Sequence, residues 1–385
     1  MKYVYFDNAA TSWPKPPAVW QAMDYFMHQV GASPGRAGHK RTVVANGMVD
    51  ETRELLAKQF NIDDPQQISF TLNATDGLNT AIKGLLKPGD HVVTSSMEHN
   101  SVSRPLYFLE QQGVIQVTKV KCSQQGHLCV QETERAIKPN TKLLVVTHAS
   151  NVTGTIMPVK ELGQLAKKYN LYFLLDASQT AGIEDIDVQA FNIDVLACPG
   201  HKSLFGPQGT GVLYVGGGLP LIPLRQGGTG SKSDTPGQPE ILPEKYESGT
   251  LNAIGIAGLG AGLRFIQREG MERIRLREKQ LAQRFISGAK DIPNLVIYGP
   301  MDLDKQVPVV SFTFKNVKAG DVGKVLDEKY NIACRAGLHC APDAHRTIGT
   351  FENKLVRFSF SYFNTPSEVD YALEALQQIA TDLPH

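Results

Sequence analysis

From about residue 68 to residue 215, short apolar runs alternate with stretches whose apolar residues recur every three or four positions. The runs at 68–71, 91–94, 115–120, 142–147, 171–176, 194–198 and 211–215 read as strands, and helical spacing fills 74–86, 101–112, 130–137 and 159–169. Alternation at this interval predicts an α/β layered domain around a mostly parallel sheet. Ligands of such sheets bind beyond the carboxyl ends of the strands, so the residues just after each run are the ones to read for chemistry.

The pattern changes after the last run. Residues 216–248 are rich in Gly, Pro, Ser and Thr and include Gln226-Gly227-Gly228-Thr229-Gly230-Ser231, the composition of an active-site or subunit-crossing loop, or of a flexible insertion. A small-residue helix at 251–269 and a charged helix at 271–289 follow. The last third, from 307 onward, reads as an α+β unit closed by an amphipathic helix at 367–381. The expected division is a large domain over 17–251 and a small one made of 1–16 with 252–385.

Composition removes several classes. The 385 residues, 42% hydrophobic and 20% charged, suit a globular enzyme of two domains. Lys plus Arg number 39 against 38 Asp plus Glu, a net charge of +1 that gives no reason to expect nucleic acid or an anionic membrane as partner. No apolar run approaches the ~20 residues that span a bilayer. The N-terminus lacks a signal-like apolar stretch, so a cytoplasmic location is the expectation. Five cysteines do not form a disulfide framework and read as free thiols, any one of which could be reactive.

Several strand ends carry suggestive residues. Cys198-Pro199-Gly200-His201-Lys202 places a lysine just past a strand, in a Gly/Pro-rich turn. Buried, Lys202 would lose charge stabilisation and offer a neutral amine for imine formation; otherwise it is a solvated loop lysine. Asp176 ends the run 171–176, either as a helix cap or as the partner of a pyridine nitrogen. Asn151, after 142–147, can donate to a ring oxygen or a substrate carboxylate. His99, after 91–94, could stack on a flat ligand or be an ordinary surface residue. Ala74 and Thr75 stand at a helix start, where free N–H groups and the helix dipole suit a phosphate.

With these motifs in order, the sequence resembles the class V, fold-type I aminotransferase superfamily of pyridoxal-phosphate (PLP) enzymes, and within it the cysteine desulfurase/selenocysteine lyase group. The resemblance runs from Tyr5-Phe6-Asp7-Asn8-Ala9-Ala10-Thr11 to Val356-Arg357-Phe358-Ser359-Phe360. It implies that Lys202 holds PLP as an imine, Asp176 pairs with the pyridine nitrogen, Gln179 bonds the ring oxygen and His99 stacks on the ring. It places Ala74, Thr75 and His201 on the phosphate, with Thr250 reaching it from the partner subunit of a homodimer. Gly35-Arg36-Ala37-Gly38-His39 is similar to the family's Arg/His segment. No metal is implied.

Cys334-Arg335-Ala336-Gly337-Leu338-His339-Cys340-Ala341 resembles the stretch that carries the nucleophilic cysteine of shorter-loop desulfurases. By that likeness Cys340 takes sulfur from L-cysteine, His339 is a local base or an orienting group, and Arg335 and Arg357 place the substrate, together with Asn151. The implied reaction yields L-alanine and a persulfide for a sulfur-acceptor protein. Pro199 stands where the family often has a phosphate-binding Ser, and Leu338 where many relatives have His. Cys122, Cys129, Cys198 and Cys334 read as packing residues. The alternatives are another PLP reaction on the same scaffold (selenocysteine lysis, transamination or β-elimination) and a catalytically idle binding protein.

Overall fold

The computed structural model describes residues 3–35 and 38–382. Arg36 and Ala37, of the Arg/His segment above, lie outside the described residues. After a two-residue strand, β1 (Val4–Tyr5), and two helices, α1 (Pro17–Tyr25) and α2 (Lys40–Phe60), the chain lays down its main sheet. The strands are β2 (Ile68–Thr71), β3 (Asp90–Ser95), β4 (Ile115–Val120), β5 (Thr141–Thr147), β6 (Tyr172–Asp176), β7 (Val195–Pro199) and β8 (Gly211–Val215). Their order is β2-β8-β7-β6-β5-β3-β4. From β7 to β4 every neighbouring pair is parallel, whereas β8 runs antiparallel to both β7 and β2.

Parallel strands need crossovers, supplied by α3 (Ala74–Leu85), α4 (Asn100–Gln111), α5 (Val130–Arg135) and α6 (Val159–Lys168). Alternate side chains of one strand therefore enter different cores. Leu144 and Val146 of β5, with Phe173 and Leu175 of β6, pack into one cluster; Leu143, Val145 and Leu174 pack into another on the opposite face.

Past residue 251 the boundary differs from the expectation. Helix α7 (Ala253–Glu269) packs on α1 and α2, and its Ile256, Leu259, Leu263 and Ile266 join the large core. Its glycines explain how it gets so close. A methyl group at Gly260 would fall 2.4 Å from Thr52 Oγ1 of α2, and one at Gly262 would fall 2.4 Å from the Leu204 carbonyl oxygen. The helix thus seats directly under the turn that carries Lys202.

The second unit has an antiparallel sheet, β12-β13-β10-β9, of β9 (Leu295–Tyr298), β10 (Val309–Phe314), β12 (Arg335–Gly337) and β13 (Leu355–Ser359). It is flanked by α8 (Met271–Ala289), α9 (Ala319–Tyr330) and α11 (Pro366–Asp382), while Ala344 of α10 (Pro342–Thr347) joins the large core. The N-terminal strand packs with this unit: β1 pairs with β11 (Ile332–Ala333), and Phe6 packs on Phe358 at 5.1 Å between ring centroids. Residues 216–248 contain no helix or strand, and Arg225 pins this stretch to the first turn of α3 through two 2.7 Å bonds to Asp76.

Candidate active site

The carboxyl ends of β5, β6 and β7 converge on a cavity of about 220 Å³, closed from the other side by β12 and β13. The large sheet contributes Asn151, Asp176, Gln179, His201 and Lys202; His99 and the start of α3 (Ala74, Thr75) complete that side. Arg335, His339 and Arg357 come from the small unit. Eleven of the residues singled out from sequence thus share one chamber, and none of residues 216–248 lines it.

Burial sets the charges inside. It brings the Lys202 ammonium down to about 8 despite the Asp176 carboxylate, and among the described residues no hydrogen bond or ion pair holds its Nζ. Burial pushes the Asp176 carboxyl up, opposed by the Ser178 N–H and hydroxyl, which donate to Oδ1, and by Lys202. His99 is pulled down to about 4 by burial and then by the charge of Lys202, so its ring is neutral near pH 7. Its Nδ1 caps α4 by accepting the Ser101 N–H at 3.1 Å, which leaves the hydrogen on Nε2.

At the α3 end, Asn73 caps the helix through its side chain, and the Thr75 and Ser101 hydroxyls lie 2.7 Å apart. His201, brought to about 4 by burial, leaves its buried Nδ1 without a partner among the described residues. Its carbonyl is gripped instead, by Lys15 Nζ at 2.6 Å and Thr11 Oγ1 at 3.1 Å, while Ser12 Oγ donates to the Lys202 carbonyl at 2.8 Å. The lysine turn is therefore held by the N-terminal segment.

On the small-unit side, Arg357 is almost wholly buried. Its Nη2 pairs with Asp7 Oδ1 at 2.9 Å, its Nη1 donates to the Asn151 carbonyl at 3.0 Å, and its Nε has no partner among the described residues. Asn151 Nδ2 donates to the His339 carbonyl at 2.6 Å, and Gln179 Nε2 to that of Ala9 at 3.2 Å. Both amides thus also hold the chamber walls.

Cys340 is exposed beside the chamber, with its Sγ 3.4 Å from Arg335 Nη2 and its carbonyl accepting from the Asn100 N–H at 2.7 Å. His339 and Cys340 are consecutive non-glycine residues in the left-handed region (φ 51° and 57°), a conformation costing roughly 1–3 kcal/mol each. Two carbonyl anchors, from Asn151 and Asn100, keep them there. Thr250 is not in the chamber of its own chain; it is exposed in a separate depression with Arg225, Ser248 and Asn252.

Of the other thiols, burial pushes Cys122 up to about 11 and Cys334 up to about 12, and pushes buried Cys198 up further. Cys129 departs from the packing role: it is exposed, with its thiol donating to Gln131 Oε1 at 3.2 Å. Residue-by-residue reasoning missed the roles of Asp7, Lys15 and Ser101. The stretch around Asp7 served only to mark one end of the family resemblance, and nothing local identified the partner of Asp7 350 positions away.

A family model for class-V aminotransferases matches residues 4–372, and the chain belongs to that family. The relatives are more specific. "Probable cysteine desulfurase" of Methanothermobacter thermautotrophicus is 35% identical, with 98% of this chain and 95% of that protein covered. Cysteine desulfurase of Serratia proteamaculans is 31% identical over 97% and 93%. Among solved structures, the apo form of a cysteine desulfurase from Thermococcus onnurineus superposes with a TM-score of 0.93 at 34% identity, covering 99% of this chain and 95% of its own. The fold is thus that of the fold-type I PLP enzymes, as the strand pattern and motifs implied.

The donor set fits that cofactor. A lysine amine without a partner, a buried carboxylate at the cavity floor, and an α3 terminus flanked by two hydroxyls and the orphaned His201 Nδ1 suit an aldehyde, a ring nitrogen and a phosphate respectively.

Proposed function

We propose that this chain is a PLP-dependent cysteine desulfurase that converts L-cysteine to L-alanine and takes the sulfur on Cys340. The observation that carries this reading is the pairing of a lysine–aspartate chamber with a thiol held at its edge by Arg335. Lys202 would hold the cofactor, Asp176 its ring nitrogen, Gln179 its ring oxygen and His99 its face. Ala74, Thr75 and His201 would take the phosphate, and Ser101 supplies the hydroxyl that Pro199 lacks. Thr250, exposed on its own chain, would serve the same phosphate in a second copy, so the working unit is a homodimer.

Bound there, PLP supplies the electron sink that makes the Cα proton and the substrate sulfur labile. The protein's residues do the rest. Arg357, with Asn151, receives the substrate carboxylate. Lys202 Nζ, near neutrality by burial, carries the Cα proton. The neutral His99 has its hydrogen on Nε2 and its Nδ1 taken by the Ser101 N–H, which suits a hydrogen-bond donor rather than a base. The Cys340 sulfur, which the Arg335 guanidinium contacts, attacks the substrate sulfur as the thiolate: an S–S bond forms, the Cβ–S bond breaks, and its electron pair stays with the carbon that becomes the alanine methyl. The Cys340 persulfide then passes to a thiol on an acceptor protein.

Product analysis tests the reading. Alanine from L-cysteine supports it, with sulfide release lost in Cys340→Ser. Pyruvate, or dependence on a 2-oxo acid, would assign a different PLP reaction.

A further inference from the structure

Behind the exposed thiol lies a run of buried polar side chains for which the chamber gives no role. Thr350 Oγ1 is 2.8 Å from His345 Nδ1, His345 Nε2 is 3.3 Å from His339 Nδ1, and His339 Nε2 is 3.3 Å from the Arg335 carbonyl oxygen. The two imidazoles stack with centroids 5.5 Å apart and planes inclined by 12°. Thr350, His345 and His339 are all buried.

The direction of every hydrogen in this run follows from its last member. A carbonyl only accepts, so His339 Nε2 carries a hydrogen. Burial holds both rings neutral near pH 7, His345 down to about 4 and His339 well below the ordinary imidazole range, helped by the Arg357 charge. Each neutral ring has a single N–H, so His339 Nδ1 is bare and accepts from His345 Nε2. His345 Nδ1 is then bare in turn and accepts the Thr350 hydroxyl. His339 is left with no lone pair for Cys340. Of the two roles its sequence position allows, local base or orienting group, only the second fits.

The run ends on Arg335, whose guanidinium is the group beside the Cys340 thiol. We propose that His345 is a positioning residue for Cys340: by donating to His339 it locks that ring onto the Arg335 carbonyl and so keeps the Arg335 guanidinium against the sulfur. The inference rests on Cys340 being the sulfur-accepting thiol. It extends that reading to a histidine five positions further on, in α10.

The test uses the holoenzyme in a Cys129→Ser background, which removes the other exposed thiol. Two rates are read: alkylation of Cys340 by iodoacetamide before substrate is added, and alanine formation from L-cysteine. His345→Met fills the space without an N–H, while His345→Gln restores a donor. The Met variant is expected to alkylate about tenfold more slowly and to lose a similar factor in kcat, with KM within about twofold, because the guanidinium no longer holds the sulfur in place. The Gln variant recovers most of both rates. A folded Met variant with rates within about twofold of the parent overturns the proposal, as does a Gln variant no better than Met. If the Met variant does not fold, Thr350→Val against Thr350→Ser asks the same question, and a Val variant at parental rates overturns it. A parent enzyme that forms no alanine would defeat the desulfurase reading, while the alkylation rates would still decide the positioning role.

Discussion

Replacing Asp7 separates what the Arg357 ion pair does for the fold from what it does for the substrate. Arg357 is 1% exposed and Asp7 22%, and Nη2 and Oδ1 lie 2.9 Å apart. Removing one partner of a buried pair costs about 3–5 kcal/mol, because the remaining charge is stranded. Here the chamber admits water and the Asn151 carbonyl still holds Nη1, so Asp7→Ala should fall at or below the low end, about 2–3 kcal/mol. Asp7→Asn keeps an acceptor for Nη2 and should lose about 1–2 kcal/mol. Urea unfolding of the apo-protein, followed through the small unit, reads this. The substrate effect has the opposite sign. Freed from Asp7, the guanidinium is a better receptor for a carboxylate, so KM for L-cysteine should fall about three- to tenfold in Asp7→Asn while kcat holds or drops. An Asp7→Asn protein with unchanged stability and unchanged KM would refute both the buried pair and the role given to Arg357.

Other expectations follow from the same geometry. Ser101→Ala removes the hydroxyl 2.7 Å from Thr75 and should weaken PLP binding about five- to tenfold, read by spectroscopic titration of the apo-protein; unchanged affinity would deny Ser101 the phosphate. Because Lys202 is held down to about 8, PLP uptake by the apo-protein should quicken about tenfold per pH unit and level off near pH 8. An ordinary lysine would keep rising toward pH 10.5. Gly262→Ala drives a methyl group into the Leu204 carbonyl, so it should destabilise by about 1–3 kcal/mol and disturb PLP binding at the adjacent lysine turn. An alanine in an open helix position would instead stabilise.

The legible parts of the molecule were those fixed by local pattern. The runs 68–71, 115–120 and 211–215 coincide with β2, β4 and β8 because apolar β-formers there meet turn residues on both sides. Lys202, Asp176 and Asn151 were legible because a parallel sheet delivers its strand ends to one place, and the family's motifs added Arg357 and Cys340. What stayed hidden depended on distant partners. Helix α7 looked like the start of a new unit, yet its glycines exist to approach α1, α2 and the lysine turn. Asp7 acquires a role only from Arg357, and His345 only from the hydrogen that the Arg335 carbonyl forces onto His339. Cys129 shows the converse: with nothing to distinguish it from the buried thiols, it read as packed and is exposed.

The central claim is that Cys340 carries the sulfur. Its most direct test is mass spectrometry of the PLP-loaded protein after a brief exposure to L-cysteine, with peptides mapped without reductant. The account predicts a mass increment of one sulfur on the peptide bearing Cys340, absent from Cys340→Ser and from Lys202→Ala. An unmodified Cys340 during active turnover, or the added sulfur on Cys129 instead, would contradict it.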